Sequence, residues 1–359
     1  MVTPIKALRK NRLKTMLIFI SMVVSICAIF LISAIANGVV TMYSTMLKTD
    51  GDIIVTQKGI SDTFFSDINR SLGLKIEKIE NVKKVNTLIL GASPVNNLPI
   101  VGIYGVSKNR FENYRLIRGK YPDLHEVMVG EKINNILQTP KTVTISKKEF
   151  KVSGVYKSDI GFEDGGVVIG LEDASSIFHK SASLFLVTLD DINKQDISAQ
   201  INALDDGIEA KTTDEFIDNY NQFKIIKISS DVISFLAFLM GILGIVSMMS
   251  MVVNDRKVEF GIMRSLGFSS RAIIIKLITE TLIVAILAYL CAIALSYLIL
   301  DAIGHMEKFQ GYINGDITPS LAISVFFISI IMATLGSLLP AIWASRVDPM
   351  SLILQGGAR

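Results

Sequence analysis

Four stretches of this chain carry no ionisable side chain. No Asp, Glu, Lys, Arg or His occurs from Thr15 through Leu47, from Val232 through Asn254, from Thr281 through Leu300, or from Ile317 through Ser345. A helix that crosses roughly 30 Å of hydrocarbon at about 1.5 Å per residue needs about 20 predominantly apolar residues. All four stretches are long enough. With 50% of residues hydrophobic and a mean hydropathy of +0.48, the chain is also more apolar than an ordinary soluble protein. The pattern predicts four transmembrane helices, over residues 15–47, 228–254, 277–300 and 317–345. The first apolar run exceeds the roughly 7–15 residues of a secretory h-region, so it reads as an uncleaved anchor.

Flanking cations set the topology. Lys6, Arg9, Lys10, Arg12 and Lys14 precede the first block; Arg256, Lys257, Arg264, Arg271 and Lys276 lie between the second and third; Arg346 and Arg359 follow the fourth. The loop at 301–316 carries Asp301, Glu307 and Asp316 against Lys308 alone. The positive-inside rule therefore places both termini and the 255–276 loop in the cytoplasm, with residues 48–227 outside the membrane. This describes a multi-pass protein of a cell membrane, inner or cytoplasmic. Residues 1–14, with Thr3 as N-cap, Pro4 at the first helical position and Ile5, Leu8 and Leu13 on one side, form either an amphipathic helix lying on anionic headgroups or a topology-setting charge cluster. A cytoplasmic tail follows at 346–359. The net charge of +3 gives no reason to expect nucleic acid.

The outer segment reads as a mixed α/β domain of two subdomains inserted between the first two membrane helices. Strand-like runs occur at Asp52–Thr56, Val85–Leu90, Ile100–Val106, Val127–Val129, Thr142–Ile145, Val152–Tyr156, Val167–Ile169 and Leu184–Leu189. Helical spacing appears at Phe64–Ile79, Glu131–Leu137, Glu172–Phe178, Ile197–Leu204 and Asp214–Phe223. Residues from about 85 to 168 are the strand-rich part. The two cysteines, Cys27 and Cys291, both fall in predicted membrane helices, so the outer domain must be held by its own core.

Motifs for chemistry are few. His125, His179 and His305 are dispersed, and there is no H-E-x-x-H, no Cys/His cluster and no G-x-S-x-G, so neither a metal site nor a catalytic residue is expected. The acidic run Asp159–Gly166 lacks the ligand spacing of an EF-hand and reads as a solvated turn. No G-x-x-x-x-G-K-[ST] loop is present, so no cofactor is expected and this chain does not hydrolyse ATP by that route alone. Ala333, Ser337, Ala341 and Ser345 in the fourth span, and Ala288, Ala292 and Ser296 in the third, recur at four-residue spacing. Small residues at that period allow close helix approach in lipid, either within the chain or at a dimer seam. Pro340 is expected to kink or end the fourth helix.

Between the second and third blocks lies N-D-R-K-V-E-F-G-I-M-R-S-L-G-F-S-S, starting at Asn254. A short helix is predicted over Arg256–Leu266, stopped by Gly267, with Ser269 or Ser270 capping the next. Val258, Ile262 and Leu266 fall at i, i+4 and i+8 and oppose Arg256, Lys257 and Arg264. Lys276 and Glu280, four apart, suggest an ion pair at the mouth of the third span.

The segment R-K-V-E-F-G-I-M-R-S-L-G from Arg256 resembles the R-x-x-E-I-G-x-x-[KR]-A-[LIM]-G of the MacB/FtsX-like permeases, which include the LolC and LolE lipoprotein-release subunits, with Phe260 and Ser265 as departures. P-A-I-W-A-S-R-V-D-P-M-S-L from Pro340 is similar to that family's closing motif. Short outer-domain pieces appear in the same order: G-D-I-I-V from Gly51, G-I-Y-G-V from Gly102, G-K-Y from Gly119, V-G-E-K from Val129 and F-K-V-S-G-V from Phe150. The resemblance implies a permease subunit of an ABC transporter whose ATPase is a separate chain. Two permease chains, identical or related, would each hold one ATPase through a coupling helix. Arg256, Glu259, Phe260, Gly261, Ile262, Arg264, Leu266 and Gly267 are the matching positions. The role implied is export or extraction of a lipoprotein, peptide or hydrophobic substrate, with a periplasmic or extracellular adaptor as a further partner. The alternative is an FtsX-like signalling module that regulates a cell-wall hydrolase without transport.

Overall fold

The computed structural model describes residues 12–158, 161–190, 193–306 and 315–346. The amphipathic segment before Arg12 and the tail beyond Arg346, with most of the closing motif, lie outside the described residues. Four helices are long and apolar enough to cross a membrane: α1 (Arg12–Asp50), α8 (Asn221–Asp255), α10 (Ser270–His305) and α11 (Pro319–Ser345). Three of them extend past the charge-free blocks, because the flanking Lys, Arg, Gln and Glu are good helix formers once a helix is nucleated. The chain divides into two compact units: one takes the residues up to Asn37, Ile228–Asp301 and those from Gly315 on, the other Gly38–Lys227 with Ala302–Asn314.

Within the helical unit the small-residue stripes are consumed by packing inside the chain. Ala333, Ser337, Ala341 and Ser345 of α11 are buried, as are Ala288, Ala292 and Ser296 of α10. A Cβ on Gly336 would sit 2.7 Å from Ile245 Cβ, and one on Gly244 would meet Ser21 Oγ. These glycines set how closely α8 approaches α11 and α1. The helix continues through Pro340 to Ser345, so the proline does not end it.

The outer unit is built on a 10-stranded sheet in the order β10-β1-β9-β2-β3-β8-β5-β7-β4, with β6 paired to both β2 and β7. The strands are β1 (Ile53–Gln57), β2 (Val82–Val95), β3 (Leu98–Val106), β4 (Arg115–Gly119), β5 (Glu126–Gly130), β6 (Thr142–Ile145), β7 (Lys148–Lys157), β8 (Val167–Gly170), β9 (Leu184–Leu189) and β10 (Ile208–Thr212). Helices α2 (Ser71–Ile76), α3 (Glu131–Ile136), α4 (Gly161–Asp164), α5 (Leu171–Phe178), α6 (Lys194–Asn202) and α7 (Thr213–Asn219) pack around it. Strand periodicity of two explains the layering. Ile54, Leu88, Leu90, Tyr104, Met128, Val168, Leu184 and Leu186 share one core on one face. The opposite face is split. Ile53, Val55, Phe185 and Val187 form one core with Ile68, Leu72 and Ile201; Ile89, Val101, Ile103, Val127, Val129, Val167 and Ile169 form another with Phe150 and Ala174. The second core fills a ring of pairings, β2-β3-β8-β5-β7-β6, closed by the Val95–Ile145 bridge. That ring is joined to the rest of the sheet by the long strand β2 rather than by a linker.

Two sequence expectations are corrected here. The Phe64–Ile79 helix is instead a 3₁₀ turn at Thr63–Phe65 and the short α2. The Asp62 carboxylate accepts from Phe64 N, and Ile68 N pairs with Ala182 O, which pins the intervening chain in extended form. The acidic run 159–166 is not a solvated turn at its described end, because Glu163 and Asp164 are buried. Glu163 accepts from Arg110 at 3.0 Å and from the Tyr114 hydroxyl at 3.2 Å, and Asp164 accepts from Ser158 N. Asp205 supports a turn, its Oδ1 accepting from Gly207 N.

Candidate functional site

At Arg256 the backbone leaves the α8 trajectory with φ −99° and ψ 11°, and α9 (Lys257–Ser265) begins at the next residue. Gly267 closes it at φ +88°, a left-handed conformation that costs glycine nothing. Ser269 Oγ then accepts from Ala272 N at the start of α10.

This short helix turns Glu259 inward beside Phe260, with Arg256 buried at its cap, and leaves Val258, Ile262 and Leu266 exposed together with Lys257. Arg256 is 7% exposed and Glu280, about three turns into α10, is 3% exposed. Arg256 donates Nη1 to Glu280 Oε2 at 2.6 Å and Nη2 to Glu280 Oε1 at 3.4 Å. It also clasps Glu259 from Nε and Nη2, each at 3.0 Å, and its guanidinium lies 5.1 Å from the centroid of the buried Phe260 ring. Lys276 donates to Glu259 at 2.8 Å. Two cations and two carboxylates thus balance one another, as a buried cluster requires. Hydrogen bonds from Arg256 outweigh burial and, with Lys276, hold the Glu259 carboxyl down to about 2. Burial opposes the Arg256 charge, but the hydrogen bonds to Glu259 and Glu280 raise it further above its ordinary value.

The outward side carries Val258, Ile262 and Leu266, which are 61%, 56% and 72% exposed. Arg264 folds back onto the Phe268 carbonyl at 3.2 Å, and Ser265 bonds the Gly261 carbonyl. Ser270 Oγ meets the Ser345 carbonyl, and Lys14 pairs with Asp255, so the same end of all four long helices is tied together. Of the coupling residues picked from sequence, Arg256, Glu259, Phe260 and Gly261 face the protein, while Ile262, Leu266 and Gly267 are exposed. The Lys276–Glu280 pair expected from spacing does not form. Lys276 reaches Glu259 and Glu280 reaches Arg256, because two cross-helix partners satisfy both charges better than one exposed turn-to-turn contact. Sequence reading missed this network because its partners lie 17 and 24 residues apart. Among the described residues, no group of three or more His, Cys, Asp or Glu is placed to hold a metal.

The sequence profile described as FtsX-like permease C-terminal matches residues 232–349, and that of the MacB-like periplasmic core domain matches residues 15–204, more than half of the chain. Comparison with curated proteins gave no match. The periplasmic region of MacB from Actinobacillus actinomycetemcomitans is 14% identical and covers 48% of this chain and 96% of its own, with a TM-score of 0.39. The extracellular domain of the noncanonic ABC-type transporter YknZ from Gram-positive bacteria is 9% identical, covering 45% and 99%, with a TM-score of 0.38.

Proposed function

The chain belongs to the MacB/FtsX-like permease family, and from that premise we propose that α9 is the element through which a separate ABC ATPase drives it. The observation that carries this reading is the exposed apolar ridge of α9 with an ionic clamp behind it. Val258, Ile262 and Leu266 make an exposed apolar ridge, while the charges behind it are locked to α10. Burying such a ridge against a partner is favourable by about 25 cal/mol per Å² of apolar surface. The network behind it makes a push on α9 a push on α10 and on the end of α8. In turn α8 runs unbroken from Asn221 to Asp255, which gives the motion a stiff path toward the outer domain.

In this reading the chain sits in the cell membrane with both termini and α9 in the cytoplasm. It pairs with a second permease chain and holds one ATPase per permease. ATP-driven closure is delivered mechanically to the outer domain, which exports or extracts a lipoprotein, peptide or hydrophobic substrate, alone or with an adaptor. The large two-lobed outer domain supports export over a signalling role.

The test is co-purification of the ABC ATPase expressed with this chain, comparing wild type with Ile262→Asp. Loss of the ATPase, with the variant still folded in detergent, supports the assignment. Retention of the ATPase with unchanged hydrolysis sinks it.

A further inference from the structure

The outer unit contains a cavity that the coupling argument does not use. Its volume is about 370 Å³, within the roughly 300–1,000 Å³ typical of small-molecule sites. One wall is the sheet at Ala92 and Ile100; the other is Val39 and Met42 of α1 with Phe223 and Ile226 of α8. Polar character converges at one end. Asp62 lines the cavity, and its Oδ1 accepts from Phe64 N at 2.9 Å and from the Tyr220 hydroxyl at 2.8 Å. The Thr63 hydroxyl reaches the same oxygen at 3.4 Å. Its Oδ2 accepts no hydrogen bond among the described residues. Lys180 donates to the Phe64 carbonyl and faces both Asp62 and Asp67. One ammonium against two carboxylates leaves that end negative.

The location makes the apolar lining costly if it holds only water. On α8 the wall residues alternate with Lys224 and Lys227, and the charge-free run begins at Val232. On α8 the wall therefore ends about 9 Å before that run, taking about 1.5 Å per residue, whereas Val39 and Met42 of α1 lie within the charge-free run 15–47. Open apolar surface at that level is stabilised by an apolar occupant.

We infer that this cavity binds a single-chain amphiphile, its alkyl chain against the apolar walls and a cationic, hydrogen-bond-donating head on Asp62 Oδ2. At roughly 30 Å³ per water-sized group, the volume admits on the order of a dozen methylenes. The inference deepens the permease reading by naming a ligand class, and rests on it for the outward placement of this domain.

The experiment uses the full chain in nanodiscs without any ATPase. Tetradecylamine carrying a terminal diazirine is compared with the matched tetradecanoic acid, and labelled peptides are mapped by mass spectrometry. Wild type is expected to label around Phe223–Ile226 with the amine at least about tenfold over the acid, the effect of one charge-assisted hydrogen bond. Asp62→Asn, which keeps the acceptor for Phe64 N, should abolish that preference. Ala92→Trp, at an exposed strand position, should fill the cavity and remove this labelling while leaving lipid-facing α11 labelling unchanged. Labelling that survives Ala92→Trp, or equal labelling by acid and amine in wild type, overturns the inference. Cavity labelling in a chain that holds no ATPase sinks only the coupling proposal; ATPase capture without cavity labelling sinks only this one.

Discussion

Glu280→Gln isolates the clamp between α9 and α10. Both partners are almost fully buried, and removing one member of such a pair costs about 3–5 kcal/mol when the remaining charge has nowhere else to turn. Arg256 keeps two 3.0 Å bonds to Glu259, and the new amide retains one acceptor oxygen. The cost therefore falls to about 2 kcal/mol, near that of one hydrogen bond to a charged group. At 1.4 kcal/mol per tenfold, about 2 kcal/mol is roughly a 30-fold shift in the local opening equilibrium. Hydrogen exchange on the nanodisc-embedded chain reads it directly: amides of Lys257–Ser265 should exchange roughly 30-fold faster, while the strands of the outer domain stay as they were. Glu259→Gln supplies the comparison. Its side chain is 34% exposed, so water replaces much of what is lost and the expected cost is about 0.5–1 kcal/mol, a few-fold in exchange. Unchanged protection in Glu280→Gln, or a larger effect from Glu259→Gln, would refute the view that the buried bond holds the helix.

Three further outcomes are expected. Glu259 titrates near 2 when folded against about 4.3 when unfolded, so its contribution is complete above about pH 4.5 and disappears as pH falls toward 2; discounted for exposure it is about 1 kcal/mol, and thermal unfolding followed into acid should lose that part of its slope in Glu259→Gln. Gly336→Ala gains helix propensity but drives a Cβ to 2.7 Å from Ile245 Cβ, so the helical unit should lose about 1–3 kcal/mol by overpacking, and an unaltered unfolding temperature in detergent would count against the close α8–α11 approach. In the outer domain Glu163→Gln removes one charge from a buried pair while Arg110 keeps its bond to the Tyr114 hydroxyl, so the expected cost is about 1.5–3 kcal/mol, and Arg110→Met with Glu163→Leu should recover most of it; a double variant as unstable as the single one contradicts the assignment.

Legibility in the sequence followed the range of the interaction. The four spans were readable because hydrocarbon imposes a continuous, local requirement on each segment. Strands such as Leu184–Leu189 were readable from runs of β-branched and aromatic residues. The edge strand Arg115–Gly119 was not, since it exposes most of its residues and carries two arginines, and Ile208–Thr212 was hidden by its Glu and Lys. The buried acidic turn at Glu163 looked solvated because its partner Arg110 is 53 residues away and its tyrosines give no local signal. At the candidate site the helix, its glycine stop and its serine cap were legible from neighbours. Which side of α9 faces the protein was not, because that depends on where α10 brings Glu280 and Lys276.

That last point bears on the role proposed for α9. A helix lying in a membrane interface puts its apolar side into lipid and its cations toward water. Here Arg256 and Glu259 are spent on internal contacts, and Val258, Ile262 and Leu266 are left to something outside the fold. If that something were lipid, Ile262→Asp would weaken membrane insertion of the loop and leave an associated ATPase in place. If it is a protein groove, the same substitution releases the ATPase while the buried network, which does not touch Ile262, keeps α9 folded and slow to exchange. The combination of intact protection and lost partner can arise only if the ridge and the clamp do separate jobs, one to bind and the other to pass on the push.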